Sequence, residues 1–491
     1  MSRRLWLNCI LALGLTVSLT ACYQLPDPPD LSVSQPDFST PEAEVTHPLT
    51  LAVYETQSLH PLFSDDRVNL TLCPLIYEGL FELDTSFTPH NVLCHTYQNS
   101  EDGLVWNFVL RNDVTFSDGT PLTAAHVVHS LELARSSRSR YASRFSGISA
   151  VSAVSEREVS VTLTRPNTGL PALLDIPIIH GEGEYPLGTG PYVLAREDGM
   201  FSLIPRSGSE PTIPLISVTR TRELTAAFER GDLSLVCTDP AATDSPGYST
   251  SSTCVDYDTT GLVYLGFNTG KSPFSAPAAR RAAAAALDRS ALVSAAWSGH
   301  ARAAALPIHP ASPLYDESLA RQLPSADDAR DLVTQAGLSG RGLTLIVNSE
   351  NSSRVTAARL IARQLEQTGL SVNISPLPWA DYLATLSTGG FDLYLGEVSL
   401  TADFDLTPLI SVDGPLNYSR WHSSSADRLL DTLRAAPEEE RPQAASELCS
   451  LLTEQMPITP ICFKRGSVLS RWEPASQLTP TRANVFYGLY E

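Results

Sequence analysis

Side chains able to do covalent chemistry are present in this chain, but the spacings that would arm them are not. There is no GxSxG elbow and no HExxH pair, so neither an activated serine nor a helix-borne zinc hydrolase is encoded. His126 and His129 stand at i, i+3 on an expected helix and lack a third ligand, which points to a solvated or partly packed face. Gly188-Thr189-Gly190 could suggest a phosphate cradle, yet Val193 and Leu194 continue as extended chain where a helix would be needed, so nucleotide binding is rejected. Among the many acids, Asp403 and Asp405 stand in the run EVSLTADFDLTPL at 397–409. A carboxylate there can receive an ammonium that leaves water, or it can cap a helix, as Asp66 would before Val68 and Asp405 before Leu406. With those spacings missing, no enzyme activity, no cofactor and no resident metal is expected.

Cysteine usage bears on the compartment. After Cys9 and Cys22, the chain holds Cys73, Cys94, Cys237, Cys254, Cys449 and Cys462, with no CxxC or CxxH spacing among them to favour zinc. An even set in an exported chain suggests disulfides, and pairing sequence neighbours (73 with 94, 237 with 254, 449 with 462) gives three short loops.

The acids need a frame, and periodicity supplies one. Residues 343–347 read as a strand, and 354–368 as a helix with Val355, Ala358, Ile361, Ala362 and Leu365 on one stripe, ended by Gly369. A strand at 372–374, a helix at 380–387 and a strand at 391–395 complete two βαβ crossovers, hence an α/β unit with a parallel sheet covered on both faces. Ligands on such sheets bind beyond the carboxyl ends of the strands, so the segment after Leu395 points at a site. Earlier, Trp106, Phe108 and Leu110 alternate with Val105, Asn107, Val109 and Arg111, an apolar and a polar sheet face between Asp-Gly turns at 102–103 and 118–119. Thr123 is the expected N-cap of the helix that follows, and Ser275 that of an Ala-rich helix with Pro277 in its first turn.

The ends set the location. Arg3 and Arg4 precede an apolar run from Leu5 to Ala21, too short for a stable membrane span and shaped like a secretory signal. Residues 23–46 hold five prolines and no Lys or Arg, which reads as an extended tether. Removing Arg3 and Arg4 with the signal moves the formal charge from −20 to −22. Such a balance argues against nucleic acid and for cationic or zwitterionic partners.

Several stretches resemble the family 5 extracytoplasmic solute-binding proteins of ABC importers: Tyr77-Glu78-Gly79-Leu80, Leu110-Arg111-Asn112-Asp113-Val114, Phe116-Ser117-Asp118-Gly119-Thr120-Pro121-Leu122-Thr123-Ala124 and Gly188-Thr189-Gly190-Pro191-Tyr192. Residues 262–288 and 416–463 are similar to the family's crossing strand and second lobe, and His60 stands where the family usually has Asp. The resemblance implies a two-lobed periplasmic-binding-protein fold (type II, cluster C), with an extra subdomain in lobe one and a hinge between lobes. Boundaries follow: 1–21 signal peptide, 22–46 lipidated Cys22 and tether, 47–262 lobe one with an insert at about 80–185, 263–468 lobe two, 469–491 return to lobe one. Leu19-Thr20-Ala21-Cys22 resembles a bacterial lipobox, implying a lipid anchor on the periplasmic or outer cell-surface side.

The implied function is capture of a peptide by hinge closure and delivery to ABC permease subunits by a monomeric receptor. A nickel chelate, sugar or amine as solute, a signalling receptor, or an anchored hydrolase are the alternatives. Ala402-Asp403-Phe404 lines up with the family's segment that pairs an Asp with the peptide α-ammonium, although the family's preceding tryptophan is replaced by Glu397-Val398-Ser399. By the same resemblance Ser64, Asp65, Asp66 and Arg67 on one lobe, and Leu400 and Thr401 on the other, flank the bound chain.

Overall fold

The computed structural model describes residues 48–488 apart from 209, 243–246 and 249–250. The signal, Cys22 and the tether lie outside the described residues.

Two long strands organise the body. Thr253–Phe267 and Ile458–Ser470 run antiparallel, and each contributes side chains to more than one core. Tyr257 and Val468 pack with Leu51, Val53, Leu75 and Phe108 in the first lobe. Val263, Leu265, Ile461 and Cys462 belong to one core of the second lobe, while Leu262, Tyr264 and Phe463 belong to another on its opposite sheet face. Between Asp258 and Leu262 the ladder loses register. A bulge of this kind bends a strand pair, and here it falls where the chain passes from one lobe to the other.

In the first lobe Leu51–Tyr54 pairs parallel with Ile213–Val218, followed across the sheet by Met200–Pro205 and Tyr192–Glu197. A second four-stranded sheet, built from Cys94–Asn99, Val105–Leu110, Glu158–Leu163 and Ile148–Ala153, carries the helix Ala124–Ala134. The expected alternation holds, since Trp106, Phe108 and Leu110 are buried. Leu478, Val485 and Phe486 join the same first-lobe core from the C-terminal segment. Gly188 and Gly190 are set by close approach, because a Cβ on Gly188 would lie 2.0 Å from the Ile76 carbonyl oxygen.

In the second lobe Gly342–Asn348 pairs parallel with both Ser371–Leu377 and Leu393–Ser399, as the crossovers predict. The helices Ser352–Gln367 and Trp379–Thr388 are the connections. Side chains alternate between the two second-lobe cores, Leu345 and Leu393 in one, Ile346 and Tyr394 in the other. The sheet is mixed, because both crossing strands join it antiparallel. The Ala-rich helix spans Pro277–Ala285 with Ala276 at its N-cap, so Ser275 does not cap it. Among the described residues no helix is long and apolar enough to cross a membrane.

The six cysteines are unpaired, which corrects the expected disulfides. Cys237 and Cys254 sit on strands that each pair with Ile458–Ser470 from opposite sides, opposite Val468 and Leu469. Strands two places apart are separated by about 9.5 Å, beyond the Cα spacing a disulfide spans. Cys449 faces one second-lobe core and Cys462 the other. Cys73 donates to the Asn69 carbonyl within its helix, and Cys94 to the Thr96 carbonyl.

Candidate solute-binding cleft

A cavity of about 1080 Å³ opens beside the crossing strands, walled by first-lobe residues on one side and by the end of Leu393–Ser399 on the other. The first wall begins at the helix Arg67–Ile76. Asp66 starts this helix, its Oδ1 accepting from the backbone N–H of Val68 at 2.9 Å and of Asn69 at 3.1 Å. Fixing that turn leaves Asp65 and Arg67 exposed at the cavity edge. Neither has an ion-pair partner among the described residues.

Leu400 and Thr401 follow the strand end and line the opposite wall. Leu400 is tied to the hinge through both backbone groups, its N–H donating to Thr260 O at 3.0 Å and its carbonyl accepting from Thr260 Oγ1 at 2.7 Å.

Lys464 forms the floor. Its ammonium lies 2.9 Å from Asp239 Oδ2 on the first-lobe side and 3.4 Å from Glu397 Oε1 on the second, and Arg354 approaches Glu397 at 3.5 Å. Burial alone would lower the Lys464 pKa, but Glu397 and Asp239 outweigh it and hold the ammonium above its ordinary value. On the far wall Asp175 is clamped between Arg144 and Arg482, the latter at 3.0 Å. Glu78 also faces the cavity, and burial pushes its pKa up against the opposing effects of Thr189, Arg111 and Arg206.

The structure thus brings Asp65, Arg67, Leu400 and Thr401 to one cavity and places the other four expected residues elsewhere. Asp66 is a helix cap. Ser64 is buried, and Phe404 is buried with φ 56°, its ring edge-on to Phe87 at 5.3 Å. Asp403 is 6% exposed and sits under the loop at 167–169, with Oδ2 accepting from Asn167 Nδ2 at 3.0 Å and its carbonyl from Arg441 at 3.4 Å. Asp405 stands one residue before Leu406, the N-cap of the short helix Thr407–Ile410, and its Oδ1 accepts from Thr407 N at 3.0 Å.

His126 turns back on its own helix, where its Nδ1 accepts from Thr123 N at 3.1 Å. His60 accepts from Leu62 N at 3.2 Å and stacks on Phe63. Sequence reading did not single out Asp239 or Lys464 as site residues. The available signal was that Lys464 is one of only two lysines in the chain.

Two lobes joined by a bulged strand pair, with a charged cavity beside the crossing, define a receptor for a small solute. The profile of the bacterial extracellular solute-binding proteins, family 5 (middle region), matches residues 88–418, and the chain belongs to that family. The glutathione-binding protein GsiB of Escherichia coli (strain K12) is 25% identical over 398 residues, covering 72% of this chain and 75% of that protein. Among solved structures, the periplasmic murein tripeptide-binding protein MppA in its unliganded open form superposes with TM-score 0.74 at 20% identity, covering 86% of this chain and 93% of that one. The ABC transporter substrate-binding protein CtaP of Listeria monocytogenes gives TM-score 0.70 at 20% identity, with 89% and 97% covered.

Proposed function

We propose that this chain is the receptor of an ABC importer that captures short peptides with a free N-terminus and hands them to a membrane permease. The cavity carries the reading: it offers an exposed carboxylate at Asp65 and an exposed guanidinium at Arg67 that hydrogen-bonds Tyr257, a complement to a zwitterion, in about 1080 Å³ between the lobes. Leu400 and Thr401 form the strand-end wall against which the bound chain lies, the Leu400 backbone being already held by Thr260. MppA binds a murein tripeptide and GsiB binds glutathione, which supports the same solute class. The strand pair bulged between Asp258 and Leu262 is the hinge, and solute favours the closed form only through its greater affinity for it. No residue performs catalysis in this account. Export by the N-terminal signal and acylation of Cys22 place the receptor on the outer side of a membrane, working as a monomer.

Asp403 serves closure in this proposal. It is bonded to Asn167 of the first lobe, while Thr168 donates to the carbonyls of Arg434 and Ala436, so the 167–169 loop latches onto the second lobe. The test is a panel of di- and tripeptides, sugars, amines and nickel chelates against the purified chain by thermal shift and calorimetry. Stabilisation by the peptides is expected, and stabilisation by only another solute class would refute the reading.

A further inference from the structure

Outside the cleft, the described residues place one thiol, one carboxylate and one imidazole together. Cys254 and Asp256 are i, i+2 on the crossing strand and so share a face. His300 comes from the turn before Ala301–Ala303, the strand that pairs with Ile458–Ser470 from the second-lobe side. His300 Nδ1 lies 3.0 and 3.1 Å from the two Asp256 oxygens, Cys254 Sγ lies 3.8 Å from Asp256 Oδ1, and all three donors fall within 4.8 Å of one another.

Zinc bonds of 2.0–2.3 Å in a tetrahedron put donor atoms about 3.3–3.8 Å apart, so small side-chain rotations suffice. Ser467, the cross-strand partner of Asp256 and fully buried, donates its hydroxyl to Asp256 Oδ1, the kind of support that fixes a metal-binding carboxylate. A His–Asp ion pair would account for two of the three groups, but not for a thiol at the same point.

We propose that Cys254, Asp256 and His300 bind one divalent transition-metal ion of the zinc class, with water in the fourth position. The mixed thiolate, imidazole and carboxylate set selects such an ion over magnesium or calcium. Tyr257, on the opposite strand face, lines the cleft, so the ion does not compete with solute there. It bridges the first-lobe half of the crossing strand to the turn before Ala301–Ala303, across the hinge.

The experiment titrates Zn²⁺ into the untagged full chain with its thiols reduced. One strong site is expected, weakened at least about tenfold by Cys254→Ser and by His300→Ala, and less by Ser467→Ala. Co²⁺ in the same site gives a thiolate-to-cobalt absorption band that Cys254→Ser abolishes. Thermal unfolding of each metal-free variant checks that it folds, and with metal removed from both, peptide binding by Cys254→Ser equals that of the wild type, which separates this site from the cleft. Absence of stoichiometric Zn²⁺ binding, or binding equally tight in both ligand variants, overturns the proposal.

Discussion

Asp65 is exposed at the cavity edge, whereas Asp403 is buried beneath the 167–169 loop with its Oδ1 lacking any hydrogen-bond partner among the described residues. A charge-assisted bond to a ligand ammonium contributes about 1.5–3 kcal/mol, so Asp65→Asn is expected to weaken free-amine peptides roughly tenfold or more, measured by calorimetry. The same peptides with acetylated N-termini are expected to lose little further affinity. The segments holding both residues were legible from the resemblance. Which carboxylate faces the cavity was not, because the 167–169 loop that covers Asp403 lies 236 residues away from it in sequence. Lys464 was likewise hidden, since its acidic partners come from two other elements.

Elements fared better where periodicity was strong. The helix read at 354–368 is Ser352–Gln367, and the strand read at 343–347 is Gly342–Asn348. Local pattern could not show that Thr253–Phe267 serves both lobes, because each half reads as an ordinary strand and only pairing reveals the crossing. Two element-scale predictions follow from close contacts. Gly188→Ala would drive a methyl into the Ile76 carbonyl and should destabilise the first lobe by about 2 kcal/mol or more in denaturant unfolding.

The second concerns Asp175. Burial alone would raise its pKa, but Arg144 and Arg482 outweigh that and hold the carboxyl below its ordinary range. Its stabilising effect is therefore complete above about pH 4 and lost as pH falls through the depressed value. Asp175→Asn should cost about 3 kcal/mol at neutral pH, by leaving two largely covered guanidiniums short of their partner. The variant's stability should also fall less steeply on acidification than that of the wild type.

Over the molecule as a whole, a hinge at the bulge, a cleft beside it and a latch where Asn167 meets Asp403 act together. The latch predicts a population effect: Asn167→Ala removes a bond made only when the lobes meet there, so the open form gains and apparent affinity falls for every peptide by the same factor. Small-angle scattering of the solute-free variant should show a larger radius of gyration than the wild type. Fold class could be read from local patterns and motif order. The cavity could not, because its walls come from segments more than 300 residues apart, Asp65 and Thr401 among them.

The most direct test of the central claim is isothermal titration of one tripeptide, with a free and with an acetylated N-terminus, into the wild type and into Asp65→Asn. The account predicts roughly tenfold or greater preference for the free amine in the wild type and near-equal affinities in the variant. Equal affinities in the wild type, or a preference that survives in Asp65→Asn, would contradict it.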